Sequence, residues 1–137
     1  MCRRSLVLLL LVTLCVCAPA CDSDTSLPTT PTAPNTTETF ADTLTVNGAK
    51  TSQFTSTARG TMTATLTSVS PDTAVIGVGI GTWNGTACQI WQVSNKMTQG
   101  ASMTEITVSG VGSLCLHVYD PGTLTAPVTY SIDVSHP

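Results

Sequence analysis

Threonine alternates with apolar residues along segment 61–67, and this alternation constrains the fold more than any other feature of the sequence. The odd positions are all threonine, and the even positions are Met62, Ala64 and Leu66. A period of two places successive side chains on opposite faces of a strand, so the apolar residues would line one buried face. Threonine occurs 26 times in 137 residues, and its β-branched side chain suits a half-exposed strand better than a helix interior. These features favour an all-β domain.

Seven further segments have the composition of strands, and turn residues separate them. Asn47-Gly48 predicts a two-residue hairpin turn, and Asp120-Pro121-Gly122 predicts another tight turn. The eight predicted strands are 40–46, 50–57, 61–69, 73–80, 86–93, 102–109, 113–119 and 128–134. Eight short strands without helical periodicity predict an antiparallel β-sandwich or jelly roll over residues 39–137.

Residues 1–20 have the composition of a secretory signal peptide. Arg3 and Arg4 precede an apolar run of twelve residues, 6–17, and small residues follow it. A transmembrane helix needs roughly 20 apolar residues, so this run is too short to be one. A basic start, a short apolar core and small residues at the end are typical of a cleavable export signal. We therefore expect the mature chain to be exported.

The sequence Ala18-Pro19-Ala20-Cys21 resembles the lipobox of bacterial lipoproteins, in which a cysteine is acylated and becomes the new amino terminus. Ala20 and Cys21 match that pattern, whereas Ala18 stands where the family prefers leucine and Pro19 is untypical. The resemblance implies lipid attachment at Cys21 and anchoring to a membrane. Ordinary signal peptidase could also cleave after Ala20, and the product would then be a soluble secreted or periplasmic protein.

The number of cysteines favours lipid attachment. Three of the six cysteines would leave with the signal peptide, and Cys21, Cys88 and Cys115 would remain. If Cys21 carries lipid, the other two form an even pair, and we expect a Cys88–Cys115 disulfide between two neighbouring strands. Cys115 alternates with Leu114 and Leu116, so it would lie outside the core or near an edge. The alternative is two separated thiols.

Residues 21–38 combine the lipid-attachment cysteine with a linker rich in threonine and proline. Pro28, Pro31 and Pro34 recur at three-residue spacing. A segment of this composition has little apolar surface to bury, so it should form an extended, semi-rigid spacer. After an acylated cysteine, such a spacer would hold the folded domain away from the membrane surface.

The remaining chain resembles the pre-peptidase carboxy-terminal type of bacterial domain, which is also found in lipoproteins. The resemblance is carried by segments 38–72, 79–90, 112–122 and 128–134, and by their order. It implies a jelly-roll-like β-sandwich that acts as an accessory module of secreted enzymes. No catalytic domain accompanies it in this sequence.

The charged and reactive residues argue against several classes of function. Beyond the signal, three basic residues stand against eight acidic ones, so the chain lacks the basic surface that nucleic-acid binding requires. The motifs GxSxG, HExxH and CxxC are all absent. His117 is interpreted as a surface imidazole beside Tyr119, and His136 as a frayed terminal residue. We expect no cofactor, no metal ion and no catalytic site.

Two other groups of residues receive a structural interpretation. Gly77, Gly79 and Gly81 form a GxGxG run within a predicted strand, where they would permit a bulge or a close approach of backbone rather than cradle a phosphate. Asp72, Asn84 and Asp120 lie in predicted loops and are interpreted as turn formers, with oxygen ligation of Ca²⁺ as the alternative.

Trp83 is the candidate ligand contact, because it lies in a glycine-flanked predicted loop, 81–85, where an exposed indole could stack on a sugar. Trp91 is interpreted as core or sheet surface. The sequence thus favours a non-enzymatic, lipid-anchored envelope module that contacts a protein or another partner in the cell envelope. The alternatives are a carbohydrate- or peptidoglycan-binding module using Trp83, and an enzyme that gathers distant serine and aspartate residues around His117.

Overall fold

The computed structural model describes residues 33–137, which form eight antiparallel strands. The strands are β1 (Thr36–Leu44), β2 (Ala49–Ser56), β3 (Gly60–Ser70), β4 (Ile76–Trp83), β5 (Cys88–Met97), β6 (Ser102–Val108), β7 (Gly112–Tyr119) and β8 (Val128–His136). Sheet A has the strand order β1-β8-β3-β6, and sheet B has the order β2-β7-β4-β5. This is an eight-stranded jelly-roll sandwich, which confirms the predicted fold class.

The apolar faces of the two sheets form one core, as the alternation predicts. Met62, Ala64 and Leu66 of β3 are fully buried. Inward-facing residues of β7 and β8 meet them from the two sheets, and most of these are aliphatic: Leu114, Leu116, Val118, Val128, Tyr130, Ile132 and Val134. The outward positions between them carry threonine, serine and other polar residues, so the period of two determines which face is buried.

The first two strands belong to different sheets, so the predicted hairpin is wrong. The turn itself exists, because Asn47 has a positive φ of 54° and the amide of Gly48 donates to the Thr45 carbonyl at 2.9 Å. The turn carries the chain from sheet A to sheet B, and β1 and β2 pair with other strands. A salt bridge of 3.1 Å between Lys50 and Asp42 spans the gap between them at the edge of the sandwich.

Most strand bounds differ from the prediction by a few residues, and two of these differences follow from pairing that the sequence did not show. β1 begins at Thr36, within the segment predicted as linker, because Thr36 is opposite His136 in the ladder with β8. β4 continues to Trp83, opposite Cys88, so the predicted loop at 81–85 is shorter than expected. The signal peptide, Cys21 and the linker up to residue 32 lie outside the described residues.

One end of the sandwich holds the loops 57–59, 84–87 and 109–111 together with the first residue of β1; we call it the entry end. The strand registers place these loops side by side, and the Arg59 Nε donates to the Ser109 carbonyl at 3.5 Å. No helix long and apolar enough to cross a membrane occurs in the part of the chain that the structure describes.

Candidate functional site

Glycines of β4 allow residues of β5 to pack closely against β4 on the outer face of sheet B. A Cβ atom at Gly81 would overlap the backbone carbonyl of Gln89, and one at Gly79 would lie 3.0 Å from the Ile90 Cγ2. The register between β4 and β5 shifts at Gly81, so a bulge lies beside this close contact. The prediction that the glycine run serves a bulge and a close backbone approach is therefore confirmed.

A disulfide joins Cys88 to Cys115, as predicted, with Cα atoms 5.7 Å apart. The two strands are not neighbours, which corrects the expected arrangement, because β4 lies between β5 and β7. Cys115 is opposite Gly81 in the ladder, and Cys88 is opposite Trp83. The bond therefore crosses the outer face of β4, and Cys115 is completely buried although it points away from the core.

A row of polar side chains crosses the same face of sheet B. The hydroxyl of Thr51 lies 2.8 Å from the Nδ1 of His117, and the imidazole stacks on the Tyr119 ring with centroids 5.6 Å apart. The Tyr119 hydroxyl donates to the Asn95 side-chain oxygen, and its ring covers Gly77. These contacts join all four strands of the sheet.

This row is suited to hydrogen bonding rather than to proton transfer. Partial burial lowers the pKa of His117 from its ordinary value of 6.5, so the neutral imidazole is favoured at neutral pH. The partners of His117 are a hydroxyl and an aromatic ring on the outer sheet face, and within the described part of the chain no carboxylate is hydrogen-bonded to it as in a catalytic triad. Among residues 33–137, no three His, Cys, Asp or Glu side chains are grouped so as to hold a metal ion.

Two of the loop residues weighed as calcium ligands use their side-chain oxygens to bind backbone amides. The Oδ1 of Asp120 accepts from the amides of residues 122–124, and its Oδ2 accepts from the Asn47 amide at 2.8 Å. These hydrogen bonds lower the pKa of Asp120, and the bond from the Asn47 amide contributes most to that shift. The Oδ1 of Asn84 accepts from the amides of Thr86 and Ala87. Both residues are turn formers, as predicted, and Asp72 also lies in a turn.

His136 is not a frayed residue, contrary to the prediction. It is the last residue of β8 and is only 3% exposed. Its Nε2 lies 3.0 Å from the Glu38 Oε1, and its ring packs on Phe54 with centroids 5.0 Å apart. Sequence position alone misled the prediction, because pairing with β1 orders this end of the chain.

Trp91, rather than Trp83, lines a cavity at the entry end. Trp83 is half-buried at the end of β4 and is not among the residues that line this cavity. Trp91 is 46% exposed and faces a hollow of about 270 Å³ between β5, the end of β6 and the 109–111 loop. Val111, 78% exposed, lies on the same hollow. The sequence interpretation had assigned Trp91 to the core or the sheet surface.

Apolar and hydroxyl-bearing residues both contribute to the lining of this cavity. Leu114 and Val108, both buried, contribute apolar surface. The hydroxyl-bearing residues of the lining are Thr82, Thr107, Ser109 and Ser113. Among residues 33–137, those that line the cavity include none that is charged, so the lining they form combines an aromatic ring with neutral polar and apolar groups.

Comparison with protein-family models and with curated proteins found no relative of this chain. The resemblance to pre-peptidase carboxy-terminal domains therefore stays a prediction, and so does lipid attachment at Cys21. The Trp91 cavity and the polar row of sheet B are the two candidate sites within residues 33–137.

Proposed function

We propose that this chain is an exported, lipid-anchored envelope protein whose β-sandwich is a non-enzymatic interaction module. Cys21 is the proposed site of lipid attachment, and residues 1–20 are the proposed signal peptide. The membrane is the first proposed partner, through the lipid. The second is a protein or glycan of the cell envelope, bound by the sandwich.

The Cys88–Cys115 disulfide is the observation that carries this proposal. Structural disulfides form and persist in oxidising compartments outside the cytosol, so the bond supports export. The bond pairs Cys88 with Cys115, and Cys21 is the remaining cysteine in the sequence of the proposed mature chain. A single cysteine directly after Ala20 suits acylation better than it suits an exposed free thiol.

The start of the fold supports the proposed spacer. β1 begins at Thr36, so residues 22–35 separate Cys21 from the sandwich. An extended, proline-rich segment of this length spans at most roughly 45 Å. That reach would leave the loops and faces of the sandwich free to meet a partner.

A binding role is favoured over catalysis by the contacts of His117. The imidazole is held by Thr51 and Tyr119, and its lowered pKa favours the neutral form. The enzyme hypothesis requires both a nucleophile and an orienting acid around this ring; among residues 33–137 the hydrogen-bonded row offers the Thr51 hydroxyl but no acid. The jelly-roll order also agrees with the proposed relation to pre-peptidase carboxy-terminal domains, which act as accessory modules.

Membrane fractionation of the full chain, expressed in a bacterium that processes lipoproteins, tests the anchor. We expect the wild-type chain to stay with membranes after a carbonate wash and to enter the detergent phase of a cloud-point separation. Cys21→Ser should move to the soluble fraction, whereas the matched control Cys2→Ser should behave as wild type. The proposal is falsified if Cys21→Ser fractionates as wild type does, or if the wild-type chain is itself soluble.

A further inference from the structure

We propose that the cavity beside Trp91 binds a pyranose ring of a neutral glycan, with the sugar stacked on the indole. This inference names a ligand class for the interaction module, and it rests on the proposed function in that respect. It assigns the contact to Trp91 at the entry end, whereas the sequence had pointed to Trp83. The cavity volume of about 270 Å³ is on the scale of a single sugar ring with its hydroxyls.

The bulge in β5 is what turns Trp91 towards the cavity. Gln92 is opposite Ile80 and Ile90 is opposite Gly81, so Trp91 is the extra residue between two paired positions. Bulges recur beside functional sites because the extra residue can re-aim its side chain. Trp91 therefore leaves the strict alternation of its strand, and its indole stays 46% exposed beside the 109–111 loop.

Hydroxyl-bearing residues lie at the cavity, and Thr82 is on the inward face of β4 with Ile80. None of Thr82, Thr107, Ser109 or Ser113 uses its side-chain oxygen in a hydrogen bond to another residue in the range 33–137. A hydroxyl both donates and accepts, as a sugar hydroxyl does, so these groups can complement a saccharide in several orientations. An aromatic face with hydroxyl-bearing residues beside it suits the apolar face and polar edge of a pyranose.

The composition of the cavity argues for a neutral sugar over other ligands. An acidic sugar or a phosphate would need a cation, and none of the described residues that line the cavity is cationic; the Nε of the nearby Arg59 donates to the Ser109 carbonyl instead. A peptide strand added to the edge of β5 would need a regular ladder, and β5 has two register shifts. A lipid chain would leave the four hydroxyl-bearing residues without partners.

Fluorescence of a single-tryptophan variant tests the site directly. The chain has two tryptophans, so Trp83→Phe leaves Trp91 as the only reporter. The full chain, in mild detergent, is titrated with tetra-N-acetylchitotetraose, cellotetraose and tetragalacturonate, and binding is measured in parallel by calorimetry. We expect at least one of the two neutral oligosaccharides to bind and to shift the Trp91 emission, and the acidic oligomer not to bind.

Matched variants distinguish a loss of binding caused by the missing contact from one caused by unfolding. Trp91→Ala should weaken binding about tenfold or more, whereas Trp83→Phe should bind as wild type. If Trp91→Ala does not keep the disulfide and the melting transition, Val111→Asp at the exposed rim replaces it, and a loss of similar size is expected. The inference is overturned if no neutral oligosaccharide binds, if only the acidic one binds, or if binding survives these changes.

The result of the glycan-binding experiment does not depend on lipid attachment at Cys21. Cys21→Ser, purified without a membrane, should bind the same oligosaccharide with unchanged affinity. A chain that binds sugar but is never acylated would overturn the proposed anchor alone. A chain that is acylated but binds no neutral sugar would overturn the glycan site alone.

Discussion

Cys88 and Cys115 are bonded to each other across β4, although their own strands are not hydrogen-bonded neighbours. The bond passes beside Gly81, where the absence of a Cβ lets the backbone of β5 fold over the face of the sheet. The glycine run, the bulge and the disulfide therefore act together. They hold β5 in the curved path that presents Trp91 at the entry end.

Removing the disulfide should destabilise the domain substantially. The bond closes a loop of 27 residues, for which the loop-entropy model gives about 3–4 kcal/mol. We expect the double variant Cys88→Ala/Cys115→Ala to lose about that much free energy of unfolding in urea titrations, with Cys21→Ser as the matched control that loses none. Two reactive thiols in unfolded, unreduced wild-type domain would contradict the bond itself.

Substituting Gly81 should be far more costly than substituting a glycine with space around it. An alanine at 81 would place its Cβ against the Gln89 carbonyl and 2.9 Å from the Ile90 Cα, so the backbone of β5 must move. We expect Gly81→Ala to lower the free energy of unfolding by about 2 kcal/mol. Gly110→Ala, which meets nothing within 4 Å, should stay within about 0.5 kcal/mol of wild type. Equal effects of the two substitutions would rule out the close approach.

His136 should contribute to stability as a core residue does. His136→Ala removes the packing on Phe54 and the contact with Glu38, and we expect a loss of about 1–3 kcal/mol in the free energy of unfolding. Glu38→Gln keeps a hydrogen-bond acceptor for the imidazole and should cost much less. A change below about 0.5 kcal/mol for His136→Ala would restore the interpretation of a frayed end.

The lowered pKa of His117 predicts a loss of stability on acidification. The unfolded chain binds a proton at this imidazole near pH 6.5, whereas the folded chain binds it only at lower pH. This contribution to stability is therefore complete above pH 6.5 and is lost as the pH falls through the lowered pKa of the folded state. Urea midpoints measured across this range should fall less steeply for His117→Gln than for wild type. Parallel curves of urea midpoint against pH for the two proteins would show that His117 does not cause the loss of stability.

Alternation made the fold class predictable, because it depends only on neighbouring residues along the chain. Met62, Ala64 and Leu66 are buried as their period of two indicates, and each of the eight predicted strands exists. Strand pairing was harder to predict from the sequence. Asn47-Gly48 makes the turn that its residues favour, but a local signal does not tell whether the two flanking strands pair or enter different sheets.

The position of the Trp91 cavity was not predictable from the sequence. A tryptophan at a loop was expected to be the contact, and Trp83 satisfied that rule, whereas Trp91 sits within a strand. Its exposure follows from a bulge and from the 109–111 loop, which is distant in sequence. His136 was missed for the same reason, since its burial depends on pairing with β1 at the other end of the domain.

The mass of the mature amino-terminal peptide tests the central claim most directly. The account predicts that the chain isolated from membranes begins at Cys21, carries the added mass of a diacylglyceryl group there, and contains Cys88 and Cys115 as a disulfide-linked peptide pair. A mature chain that retains residues 1–20, or that begins at an unmodified Cys21, would contradict it.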